Sequence, residues 1–261
     1  MSCPDCYKGF IHDFAHPVGR EEVLYGIRTY VAGTVDQQAS TSTIIVITDV
    51  FGLNIVNNKL LADFLATETG CRVLVPDVIP GGGVPASLLL PMESFAVVAE
   101  WWDILGHLAR IVSILRLIPY ILPAVRGAKL AYPGILAFTR AVRRGLPKGA
   151  KLGIAGYCWG GQQAARLAME PAALDISAQP LIDANYIAHP SGVTLPRDIV
   201  ESVHAFGVPL SITVADEDFA MPKHKVVELQ EQLQQRFSTE KGGGKAPYEV
   251  VVYKGWHLCR L

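Results

Sequence analysis

One cysteine with glycines on both sides is the residue of this chain most typical of catalysis. The segment GYCWGGQQ, residues 156–163, follows a small apolar run that is typical of a strand and precedes a helix-like run. Gly156 and Gly160 flank Cys158 as the small residues of a nucleophile elbow do, because larger side chains would block the sharp strand-to-helix turn. A buried structural cysteine is the common alternative. This spacing favours a nucleophile.

The expected turn also supplies chemistry at Cys158. The first N–H groups of the following helix have no partner within the helix, and the helix dipole is positive there. The backbone N–H of Trp159 is therefore predicted to donate to an oxyanion. A free thiol is only slightly ionised at neutral pH, so a nucleophilic cysteine needs a base nearby.

The partners of the cysteine are sought by chain order, since a site of this kind runs nucleophile, acid, histidine. An acidic loop follows the strand-like run SITVA, and there we predict Asp218 as the acid, with Asp216 as the alternative. His224 opens a predicted helix and is expected to be solvated. His257 follows the strand-like run YEVVVYKG and is predicted to be the base, oriented by the acid.

Strand-like and helix-like segments alternate along the chain, which predicts an α/β fold with a mostly parallel sheet and helices on both faces. We expect a single domain over residues 1–261 with an apolar helical insert at about 81–145. Predicted strands cover 26–33, 44–47, 71–76, 150–156, 181–190, 208–215 and 248–255, and predicted helices cover 57–70, 161–169 and 222–237.

Composition limits the class of protein. The 261 residues are 50% hydrophobic and carry a formal net charge of -1, which disfavours nucleic acid as a partner. The five cysteines are not spaced as a disulfide framework. The first residues, MSCPDCYKGFIHDF, contain no apolar signal-peptide region, so we expect a cytoplasmic protein with reduced thiols.

An unusually apolar segment runs from Ala86 to Val142. Its most apolar part, residues 104–124, is long enough for a transmembrane helix but contains Arg110 and Arg116. Each arginine costs about 2.5–3.5 kcal/mol near a bilayer centre. We therefore expect a buried or pocket-lining helix without stable membrane insertion, and an interfacial helix is the alternative.

The motifs resemble the dienelactone hydrolase (carboxymethylenebutenolidase) family of the α/β-hydrolase superfamily, over residues 26–257. GYCWGGQ is similar to the elbow of that family, in which cysteine replaces the more usual serine. Three further segments resemble the family: DVFGLN at 49–54, HPS at 189–191 and DEDFAMP at 216–222. The opening residues MSCPDC resemble its fungal branch.

The resemblance implies hydrolysis of a lactone, enol-lactone or related ester through an acyl-cysteine, in fungal secondary or aromatic metabolism, with no cofactor. It places a second oxyanion donor at the N–H of Val50. It also implies that Asp49, where the family has glutamate, keeps the resting thiol protonated, because an anion disfavours a thiolate. The alternative role for Asp49 is to cap its turn. Arg110 and Arg116 are candidates for binding a substrate carboxylate, whereas the spacing of Arg260 departs from the family.

Other signals carry less weight. Cys3 and Cys6 are too close to His12 and His16 for a zinc finger, so no metal is expected. The apolar segment 80–144 is expected to form a wall for a hydrophobic acyl group. The chain ends four residues after His257, which suggests a second hypothesis: a non-catalytic binding protein with this fold and an impaired triad.

Overall fold

The computed structural model describes residues 16–33, 42–88, 102–173, 179–218, 220–238 and 247–257, without the side chains of Glu217, Ser238 and 254–257. Eight strands form one sheet in the order β1-β2-β4-β3-β5-β6-β7-β8. The strands are β1 (Arg20–Leu24), β2 (Ile27–Ala32), β3 (Thr43–Ile47), β4 (Arg72–Pro76), β5 (Leu152–Tyr157), β6 (Ala184–Ala188), β7 (Leu210–Glu217) and β8 (Tyr248–His257).

The helices are α1 (Val56–Thr69), α2 (Ile104–Gly145), α3 (Trp159–Leu167), α4 (Arg197–His204) and α5 (Lys223–Ser238). Strands β3 to β8 pair in parallel, while β2 pairs antiparallel with both β1 and β4. The predicted fold class, an α/β-hydrolase fold with a mostly parallel sheet, is confirmed.

The two faces of the sheet bury different clusters, because successive side chains of a strand point to opposite sides. In β3, Ile45 and Ile47 join a cluster with α2 to α5, whereas Val46 joins a cluster with Ala62 and Ala66 of α1. A strand covered on both faces has no polar side, which explains why the central strands read as continuous apolar runs.

Two elements were absent from the sequence prediction. Strand β1 pairs with β2 through a two-residue turn in which Tyr25 and Gly26 both have positive φ. Its residues REEVL are largely exposed, so they lack the apolar pattern of a central strand. Helix α4 is short and lies between β6 and β7, where sequence analysis expected only loop.

Helix α2 departs from the expectation of a buried or pocket-lining helix. From Leu117 onward one side of it is buried, through Ala124, Ala128, Tyr132 and Ile135 among others. Its first turns are instead exposed, with Ile104 at 76% and Leu108 at 56%. By length and composition α2 is also long and apolar enough to cross a membrane. Only part of this helix is therefore buried.

The parallel register aligns the carboxyl ends of the central strands at one edge of the sheet. Ile47 of β3 pairs with Gly156 of β5, and Tyr157 of β5 pairs with Ala188 of β6. Beyond a register shift after Ala215, Glu217 of β7 pairs with His257 of β8. The segments that follow these strands carry the predicted site residues.

Candidate active site

Cys158 occupies a strained turn between β5 and α3. Its φ of 50° and ψ of -111° are uncommon for a residue with a side chain, and it is the N-cap residue of α3. A Cβ at Gly160 would lie 2.0 Å from the carbonyl oxygen of Ile47, and one at Gly156 would lie 2.6 Å from the Cβ of Ala164. Neither position has room for a side chain, which explains why the two residues beside the cysteine are glycines.

The sulfur of Cys158 meets groups from several elements. Its Sγ lies 3.7 Å from Oγ of Ser191, in the loop after β6. The pKa of the thiol is raised to about 11, mainly by burial. The negative charges of Asp49 and Asp218 raise this pKa further. The contacts with Ser191 and with the backbone of Trp159 act in the opposite direction. The resting sulfur is thus a neutral thiol, and two predicted site acids are close enough to influence it.

Asp49 lies at the end of β3 within a compact turn. Its Oδ1 accepts from the backbone N–H of Phe51 at 3.0 Å and from Nδ2 of Asn58 at 3.1 Å. Burial raises the pKa of this carboxyl, partly offset by these hydrogen bonds. Asp49 therefore caps its turn and also acts electrostatically on Cys158, so the two roles considered from the sequence are compatible.

The Asp49 turn is tied to the start of α3 by its backbone. The N–H of Gly160 donates to the carbonyl oxygen of Thr48 at 3.1 Å, and the carbonyl oxygen of Val50 accepts from Val84 N–H at 2.8 Å. The first of these bonds brings the segment with Val50 beside the elbow with Trp159, and the second ties Val50 to the segment that contains Val84. The two expected oxyanion donors thus lie on neighbouring segments at the same edge of the sheet.

Asp218 follows β7 and is 4% exposed. Its Oδ1 accepts from the N–H groups of Ala220 and Met221, at 2.8 and 3.2 Å. Its Oδ2 is buried without a hydrogen-bond partner in the part of the chain that the structure describes. Burial raises the pKa of this carboxyl, and the two N–H groups lower it. One oxygen is therefore fixed and the other is available to a donor.

His257 ends β8, and its backbone pairs with Glu217, the residue before Asp218. The side chain of His257 lies outside the described atoms. Oδ1 of Asp216, the alternative acid, lies 3.8 Å from Nζ of Lys223. His224 is exposed in the first turn of α5, as expected.

Two residues near the site were not selected from the sequence. Ser191 contacts Cys158 through its side chain, and its N–H donates to the Cys158 carbonyl at 2.9 Å. His189 has a φ of 37°, and burial lowers the pKa of its imidazole to about 4, which keeps it neutral. Both belong to the HPS motif, which was the available signal.

Other residues singled out from the sequence lie either on α2 or outside the described part of the chain. Arg110 and Arg116 lie in the outward first half of α2, and Cys3, Cys6, His12 and Arg260 fall outside the described residues. No cluster of three or more His, Cys, Asp or Glu suited to a metal ion occurs among the described residues.

A cavity of about 1000 Å³ lies on the α1 face of the sheet, with Asp49 and His189 among its lining residues. Its other walls are mainly apolar or aromatic: Leu61, Phe64, Tyr157, Tyr186 and Tyr248. Neither Cys158 nor any described residue of segment 80–144 lines this cavity, so the acyl-group wall expected from that segment stays a prediction. Val84 and Leu117 of that segment pack against Phe51 instead.

Comparison with known proteins relates this geometry to a family. The family model for the dienelactone hydrolase family matches residues 27–256. Hydrolase pyvD of Aspergillus violaceofuscus is 27% identical over 95% of this chain and 80% of its own length. Hydrolase tropI of Talaromyces stipitatus is 26% identical over 98% of this chain and 83% of its own length.

Solved structures show the same fold. The crystal structure of a putative dienelactone hydrolase from Klebsiella pneumoniae has a TM-score of 0.58 at 16% identity, covering 90% of this chain and 85% of that one. TT1662 from Thermus thermophilus has a TM-score of 0.57 at 16% identity, covering 92% and 90%. Since the family model spans most of the chain, this protein belongs to the dienelactone hydrolase family, whose members are hydrolases with the α/β-hydrolase fold.

Proposed function

We propose that this hydrolase cleaves a lactone, enol-lactone or related ester through an acyl-cysteine formed on Cys158. The observation that carries the proposal is the convergence at one sheet edge of three features: Cys158 on a strained elbow, Asp218 with a buried oxygen that has no hydrogen-bond partner among the described residues, and the His257 backbone paired with the residue before Asp218. The order nucleophile, acid, histidine along the chain supports the same assignment.

In the proposed reaction, His257 takes the proton of the Cys158 thiol as the sulfur attacks the acyl carbon. The carbonyl oxygen becomes an oxyanion that accepts from the N–H groups of Trp159 and Val50. When this intermediate collapses, the C–O bond to the leaving group breaks and His257 returns the proton to that oxygen. A water molecule, deprotonated by His257, then hydrolyses the thioester and releases a carboxylate and the thiol.

Asp218 is proposed to orient the imidazole of His257 and to stabilise its protonated form. Oδ2 has no hydrogen-bond partner within the described residues and is the oxygen available for this bond, because Oδ1 already accepts from two backbone N–H groups. Asp49 is proposed to keep the thiol neutral until substrate arrives, since its charge raises the pKa of Cys158.

The proposal extends to the biological setting of the reaction. We place it in fungal secondary or aromatic metabolism; two relatives named as hydrolases come from fungi, which supports the fungal part of this assignment. Cys158 is a free thiol, which is expected in the reducing cytoplasm. The single sheet supports treating residues 1–261 as one domain.

The test compares hydrolysis of activated esters and dienelactone analogues by the parent protein, by Cys158→Ala and by the matched control Cys71→Ala. We expect Cys158→Ala to lose at least about a thousandfold in kcat and Cys71→Ala to retain parental activity. Mass spectrometry of the parent after rapid quenching should detect an acyl adduct on Cys158. Equal rates for the parent and Cys158→Ala, both above background, would exclude the proposed nucleophile. Absence of activity in the parent would favour the non-catalytic binding protein.

A further inference from the structure

The first half of α2 presents a continuous apolar stripe to solvent. Its members are spaced alternately four and three residues apart, so they lie along one side of the helix. Their exposed fractions range from 40% at Leu122 to 76% at Ile104. The stripe, called here the outer face, consists of Ile104, Leu108, Ile111, Leu115, Ile118 and Leu122.

Further exposed apolar side chains widen the outer face on both flanks: Leu105, Val112, Ile114 and Val125. With 3.6 residues per turn, the combined surface covers about half of the helix circumference. A helix that pairs with one other helix needs a narrower seam. This breadth is typical of a helix that lies in an apolar medium rather than against one partner helix.

The charges on α2 have one sign. Between Ile104 and Gly145 there is no Asp or Glu, while the basic residues are Arg110, Arg116, Arg126, Lys129, Arg140, Arg143 and Arg144. Arg140 and Arg143 pair with Glu170 and Asp183 on the body of the protein. Within the described part of the chain, Arg110, Arg116, Arg126 and Lys129 have no ion-pair partner, so the exposed part of the helix is positively charged.

We propose that the outer face of α2 binds an anionic lipid surface, with its apolar side chains at the boundary of headgroups and acyl chains. The neighbouring arginines and lysine would contact the negative headgroups, as in other basic interfacial helices. A second copy of this chain fits less well, because a two-fold pair of α2 helices would bring basic residues together without acidic partners.

The helix lies on the lipid surface rather than crossing it. From Leu117 onward, the side of α2 opposite the outer face is buried against the protein core, through residues such as Ala124 and Ile135. A membrane span would require these packed turns to leave the sheet. Binding along one side leaves the packing intact.

The same helix contacts the candidate active site. Nε1–H of Trp159 donates to the carbonyl oxygen of Ala124 at 2.9 Å, and Leu117 packs in a cluster with Phe51. Lipid bound to the outer face would therefore lie on the far side of a helix that borders the elbow and the Asp49 turn. This arrangement places Cys158 and the carboxyl edge of the sheet near a membrane, where apolar esters concentrate.

The test is flotation of the full chain with phosphatidylcholine vesicles, with and without phosphatidylserine. We expect binding that requires phosphatidylserine and weakens as salt increases. The double variant Ile111→Glu/Leu115→Glu should weaken binding at least about tenfold. Val227→Glu, which changes a 45% exposed valine on α5, is the matched control and should bind as the parent does.

A second variant separates charge from apolar contact. Arg110→Gln/Arg116→Gln should weaken binding to phosphatidylserine vesicles by about fivefold for each arginine. Far-ultraviolet circular dichroism confirms that each variant is folded. The proposal is overturned if the parent does not float with phosphatidylserine vesicles, or if the Ile111/Leu115 variant binds as well as Val227→Glu.

Two further results would also overturn the proposal that the outer face binds lipid. A dimer seen by analytical ultracentrifugation, without vesicle binding and dissociated by Ile111→Glu/Leu115→Glu, would assign the outer face to a second copy. Resistance of vesicle-bound protein to alkaline carbonate extraction would indicate a membrane-spanning helix instead of an interfacial one.

Discussion

The reactivity of Cys158 toward an alkylating agent follows from the environment of its sulfur. A pKa of about 11, compared with 9.0 for an ordinary thiol, leaves about one thiol in ten thousand ionised at pH 7 instead of about one in a hundred. A thiolate with a higher pKa is intrinsically more nucleophilic, by about six- to tenfold for this difference. We therefore expect iodoacetamide to modify Cys158 about 10- to 15-fold more slowly than a free thiol of pKa 9.

The assay follows alkylation of the peptide that contains Cys158 by mass spectrometry, across a series of pH values at which the chain stays folded. Asp49→Asn removes one of the two carboxylates that raise the thiol pKa, so the midpoint of the profile should shift to lower pH. Because burial is the larger cause, the midpoint in this variant should remain above that of a free thiol.

A particular profile would refute this reasoning. If Cys158 in the parent reacts as fast as a free thiol at pH 7, with a midpoint at or below 9, burial and the two acids do not control its charge. Such a result would indicate a resting thiolate paired with an imidazolium. An unchanged profile in Asp49→Asn would remove Asp49 from the control of the thiol.

Three further outcomes are expected. Gly160→Ala places a Cβ 2.0 Å from the Ile47 carbonyl oxygen, so it should lower the free energy of unfolding by more than about 3 kcal/mol. Urea denaturation measures this loss, and wild-type stability of the variant would contradict the elbow geometry. Trp159→Phe removes the hydrogen bond to Ala124 and leaves a small cavity, so calorimetry should show a loss of about 1–3 kcal/mol, with no loss meaning that this contact is unimportant. The pKa of His189 is about 4 in the folded chain and 6.5 in the unfolded chain, so the unfolded chain binds its proton first as the pH falls. The contribution of His189 to the free energy of unfolding is therefore fully present above pH 6.5 and decreases by up to about 3 kcal/mol toward pH 4. His189→Gln should reduce this dependence, and an unchanged pH dependence would show that His189 is not its source.

Much of the site was predictable because its determinants are local. The glycines beside Cys158 and the apolar run before it are visible in a short segment, and they predict both the turn and its place at the carboxyl edge. The strand-like run before DEDFAMP places both Asp216 and Asp218 at this edge, and the resemblance of DEDFAMP to the acid loop of the family favours Asp218. The structure places Asp218 in a buried position near Cys158 and Asp216 near Lys223.

The contact between Ser191 and Cys158 was not predictable from spacing. The two residues are 33 positions apart and meet because β5 and β6 pair in parallel, with Tyr157 opposite Ala188. The hairpin partner β1 was also missed, since an exposed edge strand carries no apolar pattern.

The amino-acid sequence by itself determined the alternation of strands and helices, the family resemblance and the residue types available for catalysis, because short-range patterns of apolar and small residues encode them. Only the tertiary structure decided which groups act on the Cys158 sulfur and which side of α2 is covered. Hydropathy records how apolar a helix is but not whether another element packs against it. For α2 the protein core covers one side from Leu117 onward, and the outer face stays exposed to solvent.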